Sequence, residues 1–362
     1  MREHRVWFSD NFQSLARLLP GLDASSAEFG DKFGTVWKLV TSASPSFAGA
    51  SFADKFEIEP SRASFKAYSD WVLDLIVRYG IQYVVPGKRR RDLIKLKSKI
   101  EALPGNPKLL VAADEPVLSG LDNKEWTFSE CALRGCADVV PLWRSATGSL
   151  EIKAGLDAIS NAGVRRVCVK PVVGIYGKGF RFVSSIPARN PGKSLLNTPP
   201  HRVSLSQLLK LGASGKHRVL CMPLLRGPEL SVDCFANSGA LVTSFCRVKR
   251  GRTQRAEQWP EVVQLVGKLV HAFKLDGFFN VQLRHDVRTK SLKLLEINPR
   301  LAGGTSYGQA AGFDLVYWAL AYMGGYALKS DFPSVIDGTV ITVKPSRLSV
   351  ASHKPCPYGE CQ

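Results

Sequence analysis

The sequence contains no apolar run of the length that a membrane span requires. A spanning helix needs about 20 consecutive apolar residues, and no stretch of the 362 residues approaches that length. The opening segment, MREHRVWF, also lacks the apolar stretch of about 7–15 residues that a secretory signal carries. The sequence therefore predicts neither a membrane nor an exported protein, and we expect a cytoplasmic one.

Several common catalytic and binding signatures are missing as well. No G-x-G-x-x-G follows the first predicted strand, and no G-x-x-x-x-G-K-[ST] P-loop occurs. No Ser-His-Asp or Cys-His signature indicates nucleophilic catalysis. The eight cysteines lie mostly in apolar segments, which favours reduced, buried thiols. His353, Cys356 and Cys361 form a short cluster near the end, but zinc sites normally have two ligand pairs, so no metal is predicted there.

Acidic residues are scarce relative to basic ones. The chain has 31 Asp and Glu against 49 Lys and Arg, a net charge of +18. This excess favours an anionic partner, such as nucleic acid, a nucleotide, a phosphorylated metabolite or an acidic membrane. The densest block is Lys88–Lys99, KRRRDLIKLKSK, whose apolar residues predict an amphipathic helix with a basic face. Three interpretations stay open for that face: plain solvation, a nucleic-acid patch, and contact with an acidic substrate or partner.

The first 115 residues alternate between strand-like and helix-like segments. Arg5–Phe8 and Ile81–Val85 have strand character, whereas Phe12–Leu19 and Ser64–Tyr79 have apolar residues at helical spacing. Such alternation is typical of a parallel sheet with helices on its faces. The fold class is therefore α/β, with a small doubly wound domain over residues 1–115.

The rest of the chain mixes helices with strands joined by tight turns. Asn237-Ser238-Gly239 predicts a hairpin turn between two strands. Ser184–Ser204 is rich in Pro, Ser and Asn and predicts a loop, and Thr339–Val343 is a predicted strand. We expect two α+β lobes over residues 116–218 and 219–330, then a C-terminal strand and polar tail over 331–362.

A glycine-rich segment with two lysines follows one of the predicted strands. Lys170 ends the strand, and the loop after it contains Gly174, Gly177, Lys178 and Gly179. Glycines let backbone N–H groups surround an anion and lysines supply positive charge, a combination that suits a phosphate chain. An ordinary glycine-rich hairpin fits these residues equally well.

A second cluster combines oxygen-bearing side chains with an arginine. Glu296 and Asn298 are two apart in a predicted strand and therefore share one face, while Gln282 lies on the strand before it. Carboxylate and amide oxygens suit Mg²⁺ when substrate phosphates complete its coordination. Arg300, just beyond, is placed to contact a transferring phosphoryl group.

In content and order, these motifs resemble the ATP-grasp superfamily from Pro116 to about Gly325. The most specific elements are E-x-N-P-R at residues 296–300 and N-V-Q at residues 280–282. The motifs are nearest to the ATP-binding domains of the carbamoyl-phosphate synthetase large subunit, with a weaker similarity to the ATP-grasp proteins of tellurite-resistance gene clusters. The resemblance implies an ATP-grasp fold of two α+β lobes behind the N-terminal domain.

The resemblance also implies roles for individual residues. It implies one or two Mg²⁺ ions, with Mn²⁺ as a substitute, held by Gln282, Glu296 and Asn298. It places ATP against Lys124, Lys170, Gly174, Gly177, Gly179, Cys221, Met222, Leu224 and Glu229. It places the γ-phosphate or an acyl phosphate near Arg247, Lys249, Arg250 and Arg300, so the catalytic candidates are Arg300, Lys170 and Arg247. The second-substrate site would be completed by Gly303-Gly304-Thr305-Ser306.

The implied function is an ATP-dependent carboxylate–amine ligase that forms an acyl phosphate. Its partners would be a small carboxylate and an amine, with an acidic substrate suggested by the charge, and related ligases often form homodimers. The hinge departs from the usual pattern, because Met222-Pro223 stands where a Gln-Glu or Glu-Lys pair is common. With a single ATP-grasp unit, carbamoyl-phosphate synthesis itself is not expected. The alternatives are a nucleotide-binding protein without turnover and a basic nucleic-acid-binding protein.

Overall fold

The computed structural model describes residues 2–11, 15–174, 177–184, 201–250, 253–335 and 337–342. The chain forms two compact units. Unit 1 combines Met1–Ser119, Pro228–Gln282 and Ile297–Gln362, and unit 2 combines Gly120–Gly227 with Leu283–Glu296. Among the described helices, none is both long and apolar enough to cross a membrane. The four domain ranges given above stay predictions.

The described strands and helices follow one another in mixed order. The strands are β1 Arg2–Phe8, β2 Thr35–Ala43, β3 Lys55–Ile58, β4 Tyr83–Val85, β5 Lys108–Leu109, β6 Arg144–Thr147, β7 Val167–Pro171, β8 Arg181–Val183, β9 His201–Val203, β10 Arg218–Pro223, β11 Glu229–Asn237, β12 Ala240–Arg250, β13 Thr253–Ala256, β14 Gly277–Asp286, β15 Ser291–Asn298 and β16 Val340–Thr342. The helices are α1 Leu15–Phe33, α2 Phe65–Tyr79, α3 Arg90–Lys95, α4 Lys97–Glu101, α5 Glu115–Gly120, α6 Lys124–Leu133, α7 Gly148–Asn161, α8 Leu205–Gly212, α9 Pro260–Phe273, α10 Ser306–Ala310 and α11 Leu315–Met323.

A parallel sheet in unit 1 confirms the doubly wound N-terminal prediction. Its strand order is β3-β2-β1-β4-β5, and every pair in it is parallel. The central strand buries Val6, Trp7 and Phe8 completely or almost so, as expected for a strand covered on both faces. Ser64 caps α2 through its side chain, which accepts a hydrogen bond from the Ala67 N–H.

Two further sheets contain the elements that position the candidate site. In unit 2 the order is β6-β10-β7-β8-β9, and α7 packs against it around Ile152, Leu156 and Ile159. The third sheet has the order β15-β14-β11-β12-β13-β16. The predicted hairpin is confirmed there, since Ser238 and Gly239 have φ of +54° and +74°, the turn conformation that suits a two-residue hairpin.

Several predicted element limits are wrong. The helix predicted over Phe12–Leu19 runs over Leu15–Phe33, through Pro20, because Leu18 and Leu22 on either side of the proline pack into the core. Residues 12–14 lie outside the described residues. The single helix predicted over Lys88–Lys99 is two helices, α3 and α4, which are separated at Leu96 (φ −97°, ψ −1°).

The loop predicted over Ser184–Ser204 is also wrong at its end. Residues 185–200 lie outside the described part of the chain, but His201–Val203 is a strand. Ser204 then starts α8 with a capping box in which the Gln207 side chain accepts from the Ser204 N–H. The Ser-Leu-Ser-Gln spacing carried this signal in the sequence. The predicted cluster of His353, Cys356 and Cys361 lies outside the described residues.

Candidate active site

Lys170 lies near the end of β7, and its ammonium group contacts both a backbone carbonyl and an aromatic ring. Its Nζ donates to the carbonyl oxygen of Leu295 on β15 at 2.9 Å. The same atom lies 5.1 Å from the ring centroid of Phe128, a buried residue of α6. A carbonyl dipole and an aromatic ring both favour a cation, so the charge of Lys170 is fixed beside β15.

Lys124 is positioned by the start of α6. The Asn123 side chain caps this helix by accepting from the Trp126 N–H at 3.0 Å. The Lys124 side chain is 11% exposed, and its Nζ lies 3.1 Å from Glu296 Oε2. The same Nζ donates to the Gly174 carbonyl at 2.8 Å. The capped helix thus carries its first lysine to the glycine loop and to the predicted metal-ligating acid.

Three predicted elements therefore meet within unit 2. The lysine of the Asn-Lys motif, the lysine at the end of β7 and the acid of E-x-N-P-R all converge at the end of β15. Two ammonium groups beside one carboxylate leave a net positive charge there, which suits a phosphate chain. Phe128 was not identified from the sequence, because an aromatic residue in a helix pattern is usually interpreted as core.

The described part of the glycine loop needs glycine at two positions. Gly177 and Gly179 have φ of +64° and +78°, a region that residues with a Cβ seldom adopt. Lys178 between them is exposed. Residues 175 and 176 lie outside the described residues. A side chain at either glycine would strain the turn and move Lys178.

In the predicted adenine hinge, neither Pro223 nor Leu224 can offer a backbone N–H to adenine. Cys221 and Met222 are buried in β10. Pro223 has no N–H, and the Leu224 N–H donates to the Arg166 carbonyl at 2.8 Å. Burial raises the pKa of the Cys221 thiol to about 12, so this residue is a neutral thiol near pH 7 and not a nucleophile.

Arg247, a predicted phosphate contact, lies inside a buried network of unit 1. Its guanidinium donates to Asp233 Oδ2 through Nε at 3.0 Å and through Nη2 at 2.9 Å. It also donates to the Ser231 hydroxyl at 3.1 Å and to Gln254, and it lies 5.3 Å from the ring centroid of Tyr307. Both side chains of the ion pair are 2% exposed. This arginine is thus committed to a structural partner in the sheet.

The network continues toward a predicted metal ligand. Asn280 on β14 is buried and donates to Asp233 Oδ1 at 2.9 Å and to the Ser231 hydroxyl at 3.0 Å. The Asn298 amide lies 3.5 Å from Asn280 Oδ1. Sequence reasoning gave Asp233 and Asn280 no role, although a polar residue between buried apolar neighbours was the available signal.

Other residues predicted to contact ATP or phosphate pair with one another or are buried. Lys249 forms an ion pair with Glu229, the residue predicted to face the ribose. The side chain of Arg250 lies outside the described residues. Arg300 is 8% exposed, and its Nη1 donates to the Leu301 carbonyl at 3.1 Å. Arg17 of α1 donates to the Gly303 carbonyl at 3.2 Å, which anchors the predicted second-substrate loop to the first helix.

The metal candidates fit Mg²⁺ by donor type. Gln282, Glu296 and Asn298 are all half-buried, the last two on one face of β15. No group of three His, Cys, Asp or Glu among the residues described could hold a metal. One carboxylate and two amides are oxygen donors of the type that suits Mg²⁺ when substrate phosphates complete its coordination.

Comparisons with known proteins give one family match and several shared folds. Residues 216–344 match the family model described as ATP-grasp in the biosynthetic pathway with Ter operon. No curated protein sequence matches the chain. The solved N5-carboxyaminoimidazole synthetase from Staphylococcus aureus, complexed with ADP, is 14% identical, with a TM-score of 0.63 over 94% of this chain and 82% of that one.

Two further solved structures share the fold. The L-amino acid ligase from Bacillus licheniformis is 13% identical, with a TM-score of 0.58 over 94% of this chain and 79% of that one. The biotin carboxylase domain of 2-oxoglutarate carboxylase from Hydrogenobacter thermophilus, a dimer solved with MgADP and bicarbonate, is 14% identical, with a TM-score of 0.58 over 93% and 73%. The predicted fold is thereby confirmed, and residues 216–344 match the Ter-operon ATP-grasp family.

Proposed function

We propose that this protein is an ATP-dependent carboxylate–amine ligase that uses Mg²⁺ and works through an acyl phosphate. The observation that carries the proposal is the convergence of Lys124 and Lys170 beside Glu296 on β15. The desolvation of two lysines at one strand end is offset if an anion binds between them. The names of the fold relatives, two ligases or synthetases and a carboxylase, support ATP-driven activation of a carboxyl group.

The residues of this chain would act mainly by positioning and charge neutralisation, as phosphoryl transfer requires. Lys124 and Lys170 would bind the phosphates, and the glycines at 174, 177 and 179 would cover them and exclude water. Gln282, Glu296 and Asn298 would hold Mg²⁺, which supplies charge stabilisation on the phosphate oxygens when bound. The carboxylate oxygen attacks the γ-phosphorus and ADP leaves. The amine then attacks the acyl carbon, phosphate leaves, and the amine loses a proton.

The two arginines take different roles in this proposal. Arg300, directly after the metal strand, would contact the transferred phosphoryl group. Arg247 contacts Asp233 instead, so it would position Asn280 and Asn298 rather than touch substrate. The substrates would be a small carboxylate and a small amine in the cytoplasm, and a homodimer is proposed because one fold relative is described as a dimer.

Calorimetric titration with a non-hydrolysable ATP analogue and Mg²⁺ tests the nucleotide site. Lys170→Ala should weaken binding about 10- to 100-fold, the effect of losing one charged hydrogen bond. Lys153→Ala is the matched control, because Lys153 is exposed on α7, away from the predicted site residues, and forms an ion pair with Asp157. Equal affinities for the two variants would contradict the assignment.

ADP release with pools of amino acids and small carboxylates then tests turnover. Substrate-stimulated release that Glu296→Ala abolishes supports the ligase. Tight nucleotide binding without stimulated release would instead support a nucleotide-binding protein that does not turn over.

A further inference from the structure

A groove in unit 1, separate from every residue assigned above, has the dimensions of a ligand site. It lies between α1 and the segment from α10 to α11, with a volume of about 530 Å³. Ligand pockets commonly have volumes of about 300–1,000 Å³. Its polar and aromatic lining consists of Ser25, Glu28, Gln309, Asp314, Tyr317 and Trp318.

The charge of this groove is opposite to that of the chain. The protein has a net charge of +18, yet the described lining includes two carboxylates and no Lys, Arg or His. One cation lies close by: the Nζ of Lys32 is 5.3 Å from the ring centroid of Trp318. Glu28 is exposed and has no ion-pair partner among the described residues. Glu28 is therefore available to a ligand.

The hydrogen-bond donors around Asp314 are already used. Asp314 Oδ2 accepts from the Ser25 hydroxyl at 3.1 Å and from Gln309 Nε2 at 2.8 Å. Its Oδ1 accepts from the N–H groups of Val316 and Tyr317 at the start of α11. Neither of these N–H groups is left to bind an anion in this part of the groove.

The Gln309 amide orientation is fixed, which leaves its oxygen as an acceptor without a partner. Nε2 donates to the Leu18 carbonyl at 3.1 Å as well as to Asp314, so a flipped amide would face two acceptors. Gln309 Oε1 is buried with no hydrogen-bond partner. The amide fits only because residue 21 is glycine, since a Cβ there would lie 2.4 Å from Oε1. An unpaired buried acceptor costs stability and marks a place for a donor.

We propose that this groove binds a small organic cation, an amine with an apolar body. The ammonium group would pair with Glu28, and the apolar part would lie against Tyr317 and Trp318, whose rings are 5.1 Å apart and nearly perpendicular. A metal ion is a poorer fit, because Asp314 is saturated by four donors. The inference does not depend on the proposed ligase activity.

Titration of the nucleotide-free protein with butylamine, 2-phenylethylamine and tryptamine tests this site. The matched probes are 2-phenylethanol, which lacks the charge, and phenylacetate, which reverses it. We expect 2-phenylethylamine to bind more tightly than either. Glu28→Gln should weaken amine binding about three- to five-fold, the range of an exposed ion pair. Lys32→Met should strengthen it about two-fold, because it removes a competing cation near Trp318.

The controls separate this site from general electrostatics and from the nucleotide site. Asp23→Asn removes one exposed carboxylate from the same helix outside the groove and should leave amine affinity unchanged. The Lys170→Ala variant should likewise bind the amine with the same affinity as the unmodified protein. The proposal is overturned if none of the three amines binds, if the alcohol binds as well as the amine, or if Glu28→Gln behaves like Asp23→Asn.

Discussion

At the scale of single residues, the buried pair of Asp233 and Arg247 makes the sharpest prediction. Asp233→Asn removes the negative charge and leaves a buried guanidinium without compensation. We expect the free energy of unfolding to fall by about 3–5 kcal/mol. Chemical denaturation measures this loss. The double variant Asp233→Leu/Arg247→Met, which removes both charges, should recover most of it.

An ion pair at the surface of α6 provides the control for the Asp233 and Arg247 variants. Glu130 and Arg134 on and beside α6 are 2.8 Å apart at i,i+4 spacing. Removing either should cost only about 0.3–0.5 kcal/mol. If Asp233→Asn costs no more than this, the Asp233–Arg247 pair does not hold the sheet together and its proposed positioning of Asn280 fails.

These residues also show what sequence can and cannot predict at this scale. The motifs assigned Lys124, Lys170 and Glu296 to one predicted nucleotide site, and in the structure Lys124 contacts Glu296 while Lys170 contacts the adjacent Leu295 carbonyl. The partner of Arg247 was not predictable in the same way. It depends on the register that sets Arg247 opposite Ser231 on β11, and a one-residue shift in register would turn the arginine to the other face.

At the scale of elements, the first residue of β14 must be a glycine. Gly277 has φ of +53°, and a Cβ on it would lie 2.5 Å from the Leu110 carbonyl oxygen. Backbone atoms cannot move away cheaply, so Gly277→Ala should cost clearly more than the strain of a left-handed residue alone, about 1–2 kcal/mol. Gly34→Ala is the control, because Gly34 has φ of +66° and a Cβ on it would meet no atom of the described residues within 4 Å, its chain neighbours aside. Equal losses of unfolding free energy would contradict the clash.

The carboxyl edge of the parallel sheet carries a second prediction at this scale. Glu59 follows β3 and accepts from the Asp10 N–H and the Ser42 hydroxyl, each at 2.6 Å, and from the Tyr68 hydroxyl at 2.8 Å. Burial nevertheless raises the pKa of Glu59 above its ordinary value of 4.5. The folded state therefore keeps this proton to higher pH than the unfolded state does.

The number of protons that the folded and unfolded states bind determines whether the contribution of Glu59 to stability rises or falls with pH. Because the folded state binds more protons between the two pKa values, the contribution of Glu59 to stability falls as pH rises through that window. Glu59→Gln should remove this contribution, so its unfolding free energy should decline less than that of the unmodified protein as pH rises above about 4.5. Parallel curves for the two proteins would show that the Glu59 carboxyl does not titrate differently on folding.

At the scale of the whole molecule, the net charge of +18 no longer needs a nucleic-acid partner. Much of the densest basic run is used within unit 1. Lys88 pairs with Asp10 at 2.9 Å, and Arg89 pairs with Asp92 at 2.6 Å and lies 3.6 Å from the ring centroid of Tyr68. Sequence alone predicted the basic face, but of the two acids that pair with it only Asp92 lies within the run, and Asp10 comes from a distant part of the chain.

We therefore expect oligonucleotide binding to be weak and nonspecific. A cation that is paired within the protein neutralises no phosphate and releases no counterion, so the slope of log affinity against log salt should be shallow. Fluorescence anisotropy with a labelled single strand at increasing salt measures the slope. A steep slope that Lys95→Gln and Lys99→Gln together reduce would instead make the α3–α4 segment a nucleic-acid surface. Because neither lysine has an assigned role at the nucleotide site, that outcome would add a partner without removing the proposed ligase.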